Sequence, residues 1–189
     1  MPKHPQKTLL EMTLEELWQL FPIRLTPHNT AWKSQYERER KNLLRCLSPL
    51  AVFRISHIGS TAVPTIYAKP IVDILVEITD SDSMDEYQTK LTENGWICMQ
   101  SKGLRRSFNK GYTPDGFAEE VFHLHLRIQG DCDELYFRDY LISHPDVAKS
   151  YEELKLSLWK RYEFHRDNYT DGKSEFVQKY TNLAKKDYA

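Results

Sequence analysis

Gly59 and Ser60 stand where the run VFRISHI meets a proline-punctuated loop, and Asp73 follows on the next apolar run, IVDILVEI. Those residue types at that spacing could handle phosphate. A glycine lets backbone amides come close to a phosphate because no Cβ stands in the way. A turn of exposed amides makes a small anion-binding nest, and the hydroxyls of Ser60 and Thr61 could add hydrogen bonds to phosphate oxygens. A carboxylate such as Asp73 on the neighbouring strand suits Mg²⁺, a hard cation commonly shared between carboxylates and substrate phosphates. Lys69, just before that strand, could bind phosphate oxygens, as could Arg105, Arg106, Arg138 and Lys173 further along. Each feature also has a plainer reading: a corner between strands, a solvated carboxylate, surface charge.

A second group of chemical side chains lies in EEVFHLHLRIQGD. Phe122, Leu124, Leu126 and Ile128 alternate with His123, His125 and Arg127, so the two histidines share one face of a strand. If that strand lies beside the Asp73 strand, an imidazole could join the carboxylate as a second metal ligand or act as a general base. The metal ligands expected on this reading are Asp73, His123 and His125. An Asp–His set favours Zn²⁺ or Mn²⁺ over Mg²⁺. Asp73 and His125 are the expected catalytic pair, with Gly59, Ser60, Thr61, Lys69 and Arg106 binding a nucleotide. His57, just before the turn, is a further candidate with a structural alternative.

These residues need elements to hold them. Val52–Ile58 and Ile71–Ile78 read as core strands, and the second has Val72, Ile74, Val76 and Ile78 on one face and Ile71, Asp73, Leu75 and Glu77 on the other. Both faces are largely apolar, which predicts a central strand. WICMQ and LRRSFNKGY read as further strands, and IRLT as a short one. Helices are predicted over Thr13–Leu20, with Thr13 and Glu16 as a capping box, and over HNTAWKSQYERERKNLLRCL, closed by Pro49. Another follows Ser83 and stops at Asn94–Gly95. From Glu134 the chain reads as helices: ELYFRDYLI, then PDVAKSYEELKLSLWKRY with Pro145 in its first turn, then GKSEFVQKYTNLAKK. Tyr151, Leu154, Leu158 and Tyr162 make a packing stripe on the middle one. Arg138 and Asp139, adjacent on a helix, are expected to point apart, one of them pairing with the sheet. The order predicts an α/β (α+β) mixed sheet flanked by helices, with a helical C-terminal part. Residues 1–22 are read as a helical extension and 23–189 as a single domain.

Composition narrows the function class. With 189 residues, 40% hydrophobic and 28% charged, the chain reads as an ordinary globular domain. A net charge of −1 gives no global field toward nucleic acid or membrane. No run is apolar enough to span a bilayer, and MPKHPQKTLLEMT shows no signal-peptide core. Cys46, Cys98 and Cys132 are widely spaced with no C-x-x-C pair, which predicts reduced thiols and a cytoplasmic setting.

The string HIGSTAVPTIYAKPIVDILV closely resembles the hallmark segment of the GrpB (UPF0157-like) family. IRLTPHNTAW is similar to that family's entry into its first helix, HLHL to its histidine strand, and FRDYLISHPDVAKSYEELK with the later GKSEFV to its C-terminal signature. The resemblance runs from about Ile23 to about Ala184. It implies a nucleotidyltransferase-superfamily fold, a nucleoside triphosphate or other small phosphorylated ligand, and a divalent cation. Fusion of some members to dephospho-coenzyme A kinase implies a link to coenzyme A metabolism, although this chain has no G-x-x-x-x-G-K-[ST] loop. The superfamily pattern has two acids two residues apart on one strand. Here the second position is Leu75, and Glu77 is roughly 13 Å from Asp73 at about 3.3 Å per residue. The expected function is a metal-dependent nucleotidyltransferase with an unnamed acceptor. The alternatives are a nucleotide-binding module that keeps the fold without the two-acid site, and a metal-dependent hydrolase using the histidine pair.

Overall fold

A strand that is apolar on both faces must be covered on both, and Val72–Ile78 (β2) is: Val72, Ile74, Leu75, Val76, Glu77 and Ile78 are all buried. It lies in a five-stranded mixed sheet between Val52–Ile58 (β1), antiparallel to it, and Gly116–Ile128 (β5), parallel to it. Arg105–Thr113 (β4) and Ile97–Lys102 (β3) extend the sheet antiparallel beyond β5. The computed structural model describes residues 7–48, 50–79, 81 and 83–187.

The helices form two layers. Ala31–Cys46 (α2) and Met84–Glu93 (α3) cover one face, burying Trp32, Tyr36, Leu43, Tyr87 and Leu91 against Val72, Ile74, Val76, Leu124 and Leu126. Each such side chain contributes roughly 1.5–3 kcal/mol on leaving water. On the other face, Asp133–Ser143 (α4) brings Leu135 to Ile58 and Leu75. Pro145–Tyr162 (α5) and Arg166–Asp187 (α6) pack with α4 through Phe137, Leu141, Ala148, Tyr151 and Phe176. The short helix Leu14–Leu20 (α1) starts at the expected Thr13–Glu16 capping box. Beside it, Phe21 packs on Tyr112 and Phe117, and Trp18 on His165.

Three expectations are corrected. IRLT is not a strand; it makes one isolated bridge, Thr26 to Ala68, because Pro22 and Pro27 flank it and leave no room for a ladder. The last helix starts at Arg166 and runs straight through Gly172. The glycine is there for packing, since a Cβ on it would stand 2.6 Å from Leu158 Cδ2. Arg138 and Asp139 do not point apart: the arginine curls back to its neighbour (Nη2–Oδ1 2.6 Å) while Nη1 donates to the His57 carbonyl of β1 at 2.6 Å. Pro49, expected to close α2, lies outside the described residues. Among the described residues no helix is long and apolar enough to cross a membrane.

Candidate functional site

The parallel pairing of β2 and β5 sets Asp73 opposite His123 and Leu75 opposite His125. The Gly59 turn closes β1 beside them, since Ile58 pairs with Asp73. Gly59 has φ +69 and ψ −172, a region that essentially only glycine occupies. A Cβ there would lie 2.3 Å from Asp73 Oδ2. The close approach that requires glycine is therefore made by the Asp73 carboxylate.

Asp73 anchors a polar chain. His123 Nδ1 is 3.2 Å from Asp73 Oδ1, and His123 Nε2 is 2.8 Å from the Tyr112 hydroxyl. The carboxylate accepts from Nδ1–H, so Nε2 accepts from Tyr112, and Arg166 Nη2 stands 3.5 Å away. Burial pushes the Asp73 carboxyl up. The His123 hydrogen bond, with the charges of His123, His125 and Lys69, outweighs burial and holds the carboxyl below its ordinary range. Burial pulls His123 down despite Asp73, so its ring favours the neutral form. Tyr112 reaches this face through a bulge: between the Lys110–Phe122 and Tyr112–Phe117 pairs, Gly111 of β4, with φ +89, stands against four residues of β5. A bulge re-aims the residue after it.

His57 and Thr61 hold the turn. The Thr61 hydroxyl meets His57 Nε2 at 3.0 Å, and the residue is only 2% exposed, so the hydroxyl is engaged inward. His57 stacks on Tyr36 with ring centroids 4.9 Å apart, and burial lowers its pKa to about 4.

Above the turn the C-terminal helices deliver cations. Lys155 of α5 is 2% exposed; its Nζ donates to Ser60 Oγ at 3.0 Å and to the Tyr67 carbonyl. Lys69 and Lys173 lie over the Tyr169 ring at 5.4 and 4.3 Å, and Lys155 lies 4.9 Å from the Tyr151 ring. Burial lowers Lys69 to about 7, aided by Lys173, Arg166 and Lys155 and opposed by Asp73. Lys155 falls to about 7 by burial and the charge of Lys173, opposed by Glu152. Lys173 falls to about 8 through burial, Asp73 opposing and Arg166 adding. Among the described residues none of the three lysines forms an ion pair with a carboxylate.

Other expected residues go elsewhere. His125 meets Arg127 Nη2 at 3.1 Å and Glu134 at 4.0 Å, one register step from Asp73. Arg106 points to the opposite face of the sheet, where it bonds Gln88 at 3.1 Å and Asp85 at 3.3 Å of α3. It shares parity with Phe108 and pairs with Leu126, both core residues. Arg105 pairs with Asp131 at the surface. Leu75 is fully buried beside Ile58, Cys132 and Leu135. Glu77, also fully buried, is taken by Arg54 at 2.5 Å and the Gly130 amide at 3.3 Å. Among the described residues no three His, Cys, Asp or Glu side chains converge as a metal site. One oxygen of Asp73 is already occupied by His123, so these residues do not fit a divalent ion held by the protein alone.

Residues 22–183 match the family model described as GrpB protein. The chain belongs to the GrpB family. The crystal structure of the conserved protein GrpB from Enterococcus faecalis is similar at a TM-score of 0.76 and 30% identity, covering 87% of this chain and 99% of that one. UPF0157 protein YqkA of Bacillus subtilis (strain 168) is 30% identical over 181 residues, 92% of this chain and 51% of that protein. A dephospho-CoA kinase of Mycolicibacterium paratuberculosis (strain ATCC BAA-968 / K-10) is 26% identical over 174 residues, 78% of this chain and 42% of that protein. The chain thus spans about half the length of the first of these two sequence relatives and less than half of the second.

Three residues of the site escaped the sequence reading: Tyr112, Lys155 and Arg166. Gly111 in a strand pattern is a bulge signal, and a bulge moves Tyr112 onto the histidine face. Lys155 sits four residues after Tyr151 and three before Leu158, a cation on an apolar helical stripe. Arg166 carries no comparable mark.

Proposed function

We propose that this GrpB chain binds the phosphate end of a nucleotide or small phosphorylated molecule at the Gly59–Ser60 turn and presents it to Asp73 and His123 for transfer to an acceptor. The supporting observation is the convergence of Lys69, Lys155 and Lys173 over Ser60 and Tyr169 without carboxylate partners. Cations withdrawn from water, fully at Lys155 and in part at Lys69 and Lys173, are costly without a carboxylate partner, and they mark sites that take an anion. In this reading Ser60 Oγ and the lysines hold phosphate oxygens, and Arg166 adds a planar donor. Asp73 fixes the His123 tautomer through Nδ1–H, so the imidazole Nε2 and the Tyr112 hydroxyl form a path along which a proton can move. His125, leaning on Arg127 and Glu134, would support the site electrostatically. No step is routed through a metal. The likeness to a dephospho-CoA kinase adds dephospho-coenzyme A and coenzyme A to the nucleotides worth testing.

A second reading, a nucleotide-binding module without turnover, is favoured by Leu75. Its place in an apolar cluster leaves no second carboxylate on the strand. Calorimetry with nucleotides, followed by an assay for pyrophosphate or phosphate release, separates the two: binding with release favours the enzyme, binding alone the module.

Ser60→Ala tests the docking position. The variant should fold with less than about 1 kcal/mol lost, because Lys155 keeps its bond to Tyr67. Its nucleotide affinity should fall roughly tenfold, the loss of one charge-assisted hydrogen bond of about 1.5 kcal/mol. Equal affinity in both proteins would place the ligand elsewhere.

A further inference from the structure

We propose that the lysine cluster itself, rather than a divalent ion held by protein carboxylates, neutralises the phosphate chain of the ligand, and that the ligand is a di- or triphosphate rather than a monophosphate. The proposal rests on the docking of phosphates at Gly59–Ser60 and adds to that reading which charges balance them.

The argument is a count of charges facing the turn. Lys69 comes from the loop before β2, Lys155 from α5, and Lys173 and Arg166 from α6. Against these four cations stands Asp73 of β2, already bonded to His123. Glu152 of α5 is held by Lys149 and the Tyr67 amide, and Glu134 of α4 by Arg127. His57 of β1 and His123 and His125 of β5 are all pushed toward neutral by burial. Tyr112, Tyr151 and Tyr169 have raised pKa values and carry no charge at neutral pH. Arg138 of α4 adds positive charge near His57 and is paired with Asp139. With the lysines protonated, as a bound anion favours, four cations against one carboxylate leave a surplus of about three positive charges. One phosphate ester carries about −1.5 to −2, too little to balance them, whereas a di- or triphosphate suffices. The place where a two-carboxylate site would hold a metal is occupied by Leu75, and the surplus cations lie on the phosphate side of Asp73.

The lysines then titrate with the ligand. Burial and mutual repulsion bring their pKa values down to about 7 to 8 in the free protein, so they are only partly charged near neutral pH. A bound polyphosphate favours the charged forms, so binding takes up protons near neutral pH. The free protein follows the same linkage. The folded-state lysine pKa values, about 7 to 8, lie below the unfolded value of about 10.4. The unfolded chain therefore binds more protons between those limits, and apo stability should rise with pH across that window.

The test is calorimetric titration of the full chain with tripolyphosphate, ATP, AMP and inorganic phosphate, in EDTA and in Mg²⁺. Each is measured near neutral pH and two to three units higher, in buffers of different protonation enthalpy. Tripolyphosphate and ATP should bind in EDTA, more tightly than AMP or phosphate, with net proton uptake and at least about tenfold weaker affinity at the higher pH. Lys69→Met and Lys173→Met should each lose at least about tenfold in affinity while melting at a higher temperature in the apo form, since the cost of desolvating the cation outweighs its attraction to Asp73. The proton-uptake measurement needs no variant, so it stands even if one fails to fold. ATP binding that requires Mg²⁺ and moves no protons would overturn the proposal and leave the docking site in place. AMP binding as tightly as tripolyphosphate would also overturn it. A folded protein that binds none of the four would overturn the docking reading with it.

Discussion

Gly59→Ala should lose about 3–5 kcal/mol of folding stability, far more than a surface glycine, and lose nucleotide binding with it. Two costs combine. The backbone at φ +69 and ψ −172 is a conformation that a side chain makes unfavourable by about 1–3 kcal/mol. The added Cβ would also sit 2.3 Å from Asp73 Oδ2 and 2.9 Å from its Cγ, so the carboxylate must move away from His123. That forfeits a charged hydrogen bond of about 1.5–3 kcal/mol. The second cost can be isolated. In an Asp73→Ala background the carboxylate is absent, and the same glycine change should cost its backbone share plus the residual close contact with the remaining Cβ at 3.0 Å. Denaturant midpoints for the wild type, both single variants and the double variant give the coupling as the departure from additivity. Additive costs would show that Gly59 is required for its backbone alone.

Asp73→Asn should separate stability, binding and turnover. The carboxylate accepts from His123 and faces the charges of Lys69 and Lys173, so its removal should destabilise the protein near neutral pH by about 2–3 kcal/mol. The pH dependence follows from the direction of the shift. A carboxyl whose folded pKa is lowered contributes stability above its unfolded pKa, about 3.9, and loses it as pH falls through the folded value. Wild type and variant should therefore converge in acid. They should also draw together above about pH 8, where Lys69 and Lys173 deprotonate and cease to attract Asp73. Polyphosphate affinity should rise, roughly tenfold for each 1.4 kcal/mol of repulsion removed, while turnover is lost. If Asp73 instead grips a metal that bridges to the ligand, the same change would weaken binding. Weaker binding in a folded Asn variant would refute the role assigned to this carboxylate.

The relation between sequence and site is uneven, and the unevenness has physical causes. Period-two alternation was enough to put Asp73 and the histidines on defined faces of two strands. Side-chain direction in a strand is fixed by parity. The apolar character of both faces of IVDILVEI correctly marked a covered strand. The capping box at Thr13 and the break at His144–Pro145 were equally legible, because those signals act within a few residues. The GSTAVPTIYAKP loop and its glycine were recognisable as a tight turn between strands. That the carboxylate of Asp73, fourteen residues on, is what presses against Gly59 was not.

What only the tertiary structure decided is which residues meet. The register of a parallel pair is set by packing, and it alone made His123 rather than His125 the partner of Asp73. One bulge at Gly111 reversed the parity of Tyr112, while unbroken parity carried Arg106 to the core side of the sheet. Lys155 reaches Ser60 across 95 residues of chain. Lys173 and Arg166 come from still further, on a helix whose position depends on Gly172 packing against Leu158. Local pattern specifies the direction of a side chain relative to its own element. The convergence of cations from a loop and two helices on one turn depends on how those elements dock, and that is decided by the buried contacts among them.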